Sequence, residues 1–288
     1  MSDWEIAHWV AAAASAPDRD FRCAVHTIVA AMASDQDLAQ ASFMKGGILL
    51  ALRYHSPRYT TDIDFSTPQG YSKEAERKLL DRLARGLALM SDQLGYDLEC
   101  RITSSRADPP IKPHFTHFWI NLKVTIGYAR RGTPAHKRLL GQGSINTHIQ
   151  MDYSFDERVP TEDLYQVDSQ GQLQVYALST LIAEKYRALL QQVMRRRARR
   201  QDVFDLHFLL TSLDVTAGGF RKEVLDVLRI KADDRGVACD RESFRNPELI
   251  SRARRDYPTL RDELDEAALP EFDVAFNCVQ GYYEALPW

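Results

Sequence analysis

Apolar and polar positions recur along this chain with two different periods. Residues 21–33, FRCAVHTIVAAMA, carry apolar side chains at helical spacing, and a shorter run of the same kind, WEIAHWVAAAA, follows Asp3, which is placed to cap it. Trp4 and Trp9 are expected to pack in the core. Residues 72–94 show the helical period again, with Leu79, Leu80, Leu83, Leu87 and Met90 on one side and charged residues on the other. Residues 178–193 repeat it. Elsewhere the period is two. Phe118, Ile120, Leu122, Val124 and Ile126 share one face of a strand over 118–128, and Ile149, Met151, Tyr153 and Phe155 share one face over 149–155. Shorter strands are expected at 42–44 and 97–103. Pro109, Pro110 and Pro113 make 106–113 a loop, and 130–143, RRGTPAHKRLLGQG, reads as a basic connection, a hairpin link or a phosphate contact. After a turn at 168–171 the remainder reads as helical, interrupted at Pro247, Pro258, Pro270 and Pro287. The sequence therefore predicts an α+β chain: strands and helices over 1–165, then a mostly helical domain over 166–288.

Size and composition narrow the class. A chain of 288 residues can bury a substantial core, and an apolar share of 44% is ordinary for a globular protein. Its net charge of −3 supplies no global basic field, so nucleic acid would have to be met by a local patch. Cys23, Cys100, Cys239 and Cys278 are scattered with no Cys-x-x-Cys, which fits reduced thiols in a cytoplasm. The start lacks a basic n-region, and VAAAASA is too short to span a bilayer, so no secretory or membrane segment is expected.

Candidate chemistry concentrates in residues 43–65, FMKGGILLALRYHSPRYTTDIDF. Asp62 and Asp64 flank Ile63. On a strand the two aspartates share a face, with Cα atoms roughly 6.6 Å apart, while Ile63 and Phe65 point to a core. Carboxylates that close repel unless a cation or proton intervenes, and an all-oxygen set suits a hard ion such as Mg²⁺. Gly46 and Gly47 precede a short apolar helix, where close backbone approach and exposed N–H groups favour a phosphate. Arg58 and Thr60 stand just upstream of the carboxylates, to meet substrate or to buttress the turn. On the strand at 149–155, Asp152 points away from the core, whereas Asp156 and Glu157 fall past the expected strand end, where they should meet solvent. His114 and His117 form a His-x-x-His beside a strand and a proline, a poor setting for zinc. Farther on come Lys185, five arginines within residues 195–200, and Asp202 and Asp205, spaced to share a helix face. Read alone, these are surface charges and ion pairs.

Taken together these islands resemble a known family. Lys45-Gly46-Gly47 followed by Arg58-Tyr59-Thr60-Thr61-Asp62-Ile63-Asp64 looks like the first motif of the DNA polymerase β-type nucleotidyltransferase superfamily. It is most similar to the AbiEii/AbiGii toxin branch, the toxin half of type IV toxin–antitoxin and abortive-infection (phage defence) systems. Lys185, the arginine run and Asp202-x-x-Asp205-Leu206 resemble that family's later motifs, with Gln201 where an arginine usually stands and Arg200 one place earlier. Tyr257-Pro258 and Phe272–Phe276 look like its tail, with packing roles. The resemblance implies a nucleotidyltransferase fold, a mixed sheet flanked by helices, and a magnesium-dependent transfer from an NTP. It implies that Asp62, Asp64 and Asp152, the last in the place of the superfamily's third carboxylate, hold the metal, with Asp152 also a general base. Lys45, Gly46, Gly47, Arg58 and Thr60 would attend the nucleotide, and Lys185 its triphosphate. Asp202 and Asp205 would orient either Lys185 or the base and ribose. The helical domain would complete the active-site cleft. RNA, tRNA 3′ ends foremost, is the implied acceptor, with the arginine run as a backbone path and a cognate antitoxin as partner. Two other readings stand beside it: an enzyme of the same fold that nucleotidylates a protein hydroxyl, and a catalytically silent nucleotide-binding module.

Overall fold

A computed structural model describes residues 6–111, 119–141, 143–167, 171–195, 199–264 and 269–288. Asp3, Trp4, His114, His117, Phe118, Arg196, Arg197 and most of the turn at 168–171 lie outside the described residues. The chain divides into two units: Met1–Arg53, Thr61–Val159 and Asp163–Val175 form the first, and Tyr54–Thr60, Pro160–Glu162 and Tyr176–Trp288 the second.

In the first unit, helices α1 (Ile6–Ala11), α2 (Ala16–Ser34) and α3 (Gln36–Ala41) lead into strand β1 (Phe43–Lys45). Ser15 caps α2 by accepting from the Asp18 amide, and Pro17 sits in the first turn, where its missing N–H costs nothing. Trp9 is half-buried beneath the Arg22 guanidinium, 4.9 Å from its ring centroid. Helix α4 (Gly46–Tyr54) is followed by β2 (Asp62–Ser66), and α5 (Lys73–Gln93) begins at a Ser72 cap. Then come β3 (Leu98–Asp108), β4 (Asn121–Arg130), α6 (Pro134–Leu140), β5 (His148–Ser154), β6 (Glu162–Gln166) and β7 (Gln172–Tyr176). The strands form one mixed sheet in the order β3-β4-β5-β2-β1-β7-β6. Strands β2 and β5 run parallel, as do β1 and β7, while β1–β2, β3–β4 and β4–β5 are antiparallel.

One sheet face is apolar. Ile63, Phe65, Leu122, Val124, Ile126, Ile149, Met151 and Tyr153 are buried there. Helix α2 packs against β3, β4 and β5 and against α5. The α2–α5 crossing is close enough that a Cβ on Gly86 would lie 2.7 Å from the Ala31 carbonyl oxygen, so glycine is required there.

Three segments differ from the sequence expectation. Strand β3 runs on through Arg106 to Asp108, because it pairs with β4 as far as Asn121, and Pro109 marks its end. The basic connection contains helix α6, started by Thr133, whose hydroxyl accepts from the His136 amide, with Pro134 in the first turn. Within it Arg130 pairs with Asp20, and Arg131 with Asp92 and Glu99. Strands β6 and β7 extend the sheet into a stretch read as helical. The sheet therefore ends at Tyr176 rather than near residue 165, and the division between units falls later than 165/166.

The second unit is built around α7 (Leu178–Arg195), with α8 (Arg200–Ser212), α9 (Gly218–Asp234) and α10 (Pro247–Arg255) packed on it. Helix α11 (Phe272–Glu284) packs on α8. Its core is aromatic. The tilted rings of Phe244 and Tyr283 lie 4.3 Å apart, Tyr186 meets both, and the Tyr186 hydroxyl donates to the Val279 carbonyl at 2.9 Å. Tyr257, Leu260, Phe272 and Phe276 are buried in the packing roles expected of them.

Candidate active site

The polar face of the sheet carries the candidate carboxylates. Alternation along β2 places Asp62 and Asp64 opposite to Ile63 and Phe65. Strand β5 lies parallel to β2 in a register that sets Asp64 against Asp152 and Asp62 against Gln150. Residues paired this way share a sheet face, so three carboxylates from two segments stand together, with Asp62 exposed and the other two half-buried. Strand β1 adds Lys45 beside Asp64 on the other side.

Gly46 is the tightest point of the arrangement. Its φ is +76°, and a Cβ there would lie 2.0 Å from Asp64 Oδ2. The start of α4 is thus pressed against the Asp64 carboxylate, where the positive end of the helix favours negative charge. No other residue type leaves that space open.

Asp152 is held in an environment that disfavours its charge. Burial raises its pKa most; Lys123 and the Asn121 amide pull it down, Asp62 pushes it up and Lys45 pulls it down, with a net shift upward. Its Oδ1 is buried without a hydrogen-bond partner, as are Asn121 Oδ1 and Gln150 Nε2 near it on the same strands. The orphaned Asp152 carboxylate oxygen and Asn121 amide oxygen are ligands of the kind a hard divalent cation takes. Among the described residues, however, no three His, Cys, Asp or Glu side chains are gathered into a ready-made metal cage. Asp64 and Asp152 face each other in register, and Asp62 lies two residues away along β2, opposite Gln150.

Glu157 corrects the sequence reading. It does not meet solvent: it is 5% exposed and accepts from Lys45 Nζ at 2.7 Å. Asp156, in the left-handed region at φ 56°, accepts from the Tyr71 amide and turns the chain so that Glu157 points back toward β1. Sequence reasoning passed over Glu157 because its strand ends before it. The signal it missed is that Lys45, beside a glycine pair, needs a counter-charge if it is to be buried.

In the second unit, Lys185, Asp202, Asp205 and Arg58 form a network that is buried rather than superficial. Lys185 Nζ donates to Asp202 Oδ1 at 3.1 Å and to Asp205 Oδ2 at 2.6 Å. Arg58 gives Nε and Nη2 to the two oxygens of Asp205 and turns Nη1 to Glu263 at 3.2 Å. Asp205 is 0% exposed, Lys185 8% and Arg58 9%. Burial raises the Asp205 pKa, but Lys185 and Arg58 outweigh it and hold the carboxyl below its usual range. Burial lowers that of Lys185, and Asp205 with Asp202 more than restore it. The Arg58 guanidinium is taken up by these carboxylates. Thr60 is half-buried just ahead of β2, and Gly47 lies in the first turn of α4. Of the arginine run, Arg200 pairs with Glu263 and Thr259, Arg199 approaches Asp202, and Arg195 is exposed. No helix among the described residues is long and apolar enough to cross a membrane.

A family profile described as nucleotidyl transferase AbiEii toxin, type IV TA system, matches residues 27–278. No curated protein sequence matches. Among solved structures, JHP933 from Helicobacter pylori is similar at 14% identity and a TM-score of 0.49, over 91% of this chain and 90% of that one. MenT4, a nucleotidyltransferase toxin from Mycobacterium tuberculosis, is similar at 15% identity and a TM-score of 0.47, over 97% of this chain and 98% of that one. At those scores neither likeness bears on the chemistry.

Proposed function

Because the chain belongs to the AbiEii nucleotidyl transferase toxin family and is a nucleotidyltransferase, we propose that it moves a nucleotidyl group from an NTP to the 3′ end of an RNA, tRNA foremost, and that an antitoxin opposes it. The observation that carries this reading is the pairing of Asp64 with Asp152 beside the glycine whose Cβ position the Asp64 carboxylate fills.

Asp62, Asp64 and Asp152 would hold Mg²⁺, which when bound would neutralise phosphate oxygens and lower the pKa of the acceptor hydroxyl. The acceptor oxygen attacks the α-phosphorus, the bond to the bridging oxygen breaks, and pyrophosphate leaves. Asp152 receives the hydroxyl proton; the same burial that raises its pKa makes it a stronger base than an ordinary carboxylate. Lys45, Gly46, Gly47 and Thr60 attend the nucleotide, with Glu157 holding Lys45 in place. Asp202, Asp205 and Arg58 keep the Lys185 ammonium oriented, which supports the first of the two roles open to the aspartates.

The test is incubation with each radiolabelled NTP and total RNA, with Asp64→Ala as control. Label in RNA that disappears with Asp64→Ala is the expected result. Label in protein would favour the protein-nucleotidylating enzyme, and an absence of NTP binding the silent module; either would overturn the proposal.

A further inference from the structure

The polar row on the sheet does not stop at the carboxylates. Strand β4 sets Lys123 opposite Asp152, and β3 sets Arg106 opposite Lys123. Across five strands one row therefore reads Arg106, Lys123, Asp152, Asp64, Lys45. Cross-strand neighbours stabilise a sheet when their charges are opposite and destabilise it when they are alike. An alternating row would satisfy the fold. This one is sorted into blocks, two cations and then two anions, so it carries two like-charge pairs side by side. The acidic pair calls for a cation, and the basic pair calls for an anion next to it.

The basic pair is available for one. Arg106 is exposed, and among the described residues no carboxylate pairs with it. Lys123 faces Asp152 across the strands and reaches the exposed Asp108 only at 3.6 Å, beyond hydrogen-bond length. Asn121 Oδ1, Gln150 Nε2 and Asp152 Oδ1, buried without partners, lie along the neighbouring strands β4 and β5. Strands are about 4.8 Å apart, so Lys123 stands about 10 Å from Asp64, on the side away from Gly46.

We infer that Lys123 and Arg106 form a phosphate subsite for the acceptor strand. The inference rests on the reading of the carboxylate row as the transfer site. In an in-line displacement the attacking and leaving oxygens lie on opposite sides of the phosphorus. Gly46, Gly47 and Lys45 flank the carboxylates on the β1 side, where the triphosphate is assigned. Lys123 and Arg106 flank them on the β4 side, where a phosphodiester of the incoming strand is to be steadied. The chemistry recognised is a phosphate oxyanion, and its two possible sources are the acceptor backbone and the NTP itself.

The experiment compares wild type with the Lys123→Gln/Arg106→Gln double variant and with Arg106→Gln alone, whose exposed side chain can be lost without unfolding. Binding of a short labelled oligoribonucleotide with a free 3′ hydroxyl is measured against salt, and NTP affinity by calorimetry. Loss of two phosphate contacts should make the log–log salt slope shallower by about 1.4, and loss of one by about 0.7, with NTP affinity unchanged. An unaltered slope overturns the subsite, and so does a fall in NTP affinity alone, which would move the cations to the triphosphate. Turnover is a separate readout. Label absent from RNA while the oligoribonucleotide still binds through both cations would sink the transfer reading and leave the subsite. Label in RNA with an unaltered slope would do the reverse.

Discussion

Arg58 grips Asp205 with two arms of its guanidinium, at 2.8 and 3.0 Å, across 147 residues of sequence. Lys185 takes the same carboxylate at 2.6 Å and Asp202 at 3.1 Å. Two cations thus compensate Asp205 where it has no solvent contact at all, while Asp202 Oδ2 stays buried without a hydrogen-bond partner. Buried charges of this kind contribute little net stability as a set but cost a great deal when one member is removed. The network therefore fixes Lys185 in place more than it strengthens the fold.

Arg58→Ala should accordingly destabilise the protein by about 3–5 kcal/mol, because Asp205 is left partly uncompensated. Arg58→Lys should recover only part of that loss, since a lysine cannot reproduce the two-armed contact. Urea unfolding of both variants measures this. Midpoints equal to wild type would show that the network is not needed for the fold.

The same network predicts how stability follows pH. Asp205 has its pKa lowered in the folded state, so its contribution is present above the ordinary carboxyl value of about 3.9 and is lost as pH falls through the folded value. Lys185 has its pKa raised, so its contribution is present below about 10.4 and is lost as pH rises through the folded value. Asp205→Asn should be less stable than wild type at neutral pH, and the gap should close below about pH 4. Unfolding midpoints across that range decide it; a gap that is constant with pH would contradict the assignment.

Gly46→Ala should be more damaging than a helix-start alanine has reason to be. The φ of +76° and the 2.0 Å approach of Asp64 Oδ2 to the new Cβ act together. A strained backbone of this kind costs about 1–3 kcal/mol, and the carboxylate must move to admit the methyl group. Transfer activity should fall further than stability. A variant that unfolds early yet transfers at the wild-type rate would show that the placement of Asp64 is not what matters.

Asp152→Asn should run the other way, abolishing transfer while raising the melting temperature. Burial and the nearby Asp62 disfavour a charge at this position and outweigh Lys123, the Asn121 amide and Lys45. Removing that charge relieves the fold and removes the base. Calorimetry without added metal checks it; a lower melting temperature would mean that the Asp152 charge is net stabilising.

Much of this was legible in the chain because it depends on local period. Alternation over 62–66 and 149–155 alone decides that Asp62, Asp64 and Asp152 turn away from the core, and helical spacing alone places Asp202 and Asp205 on one face. The Gly46–Gly47 pair and the Asp62-Ile63-Asp64 triplet likewise announce the family without any coordinates. What only the tertiary structure decided is pairing. Register across β2 and β5 sets Asp64 against Asp152, and register across β3 and β4 puts Arg106 behind Lys123 in a segment whose prolines read as loop. The turn at Asp156 sends Glu157 back to Lys45, and α7, α8 and the 54–60 segment bring Lys185, Asp205 and Arg58 together. A residue's periodicity is set by its own backbone, but its partner is set by strand register and helix packing, which depend on contacts far away in sequence; that is why the chain shows which side chains face the site and not whom they meet there.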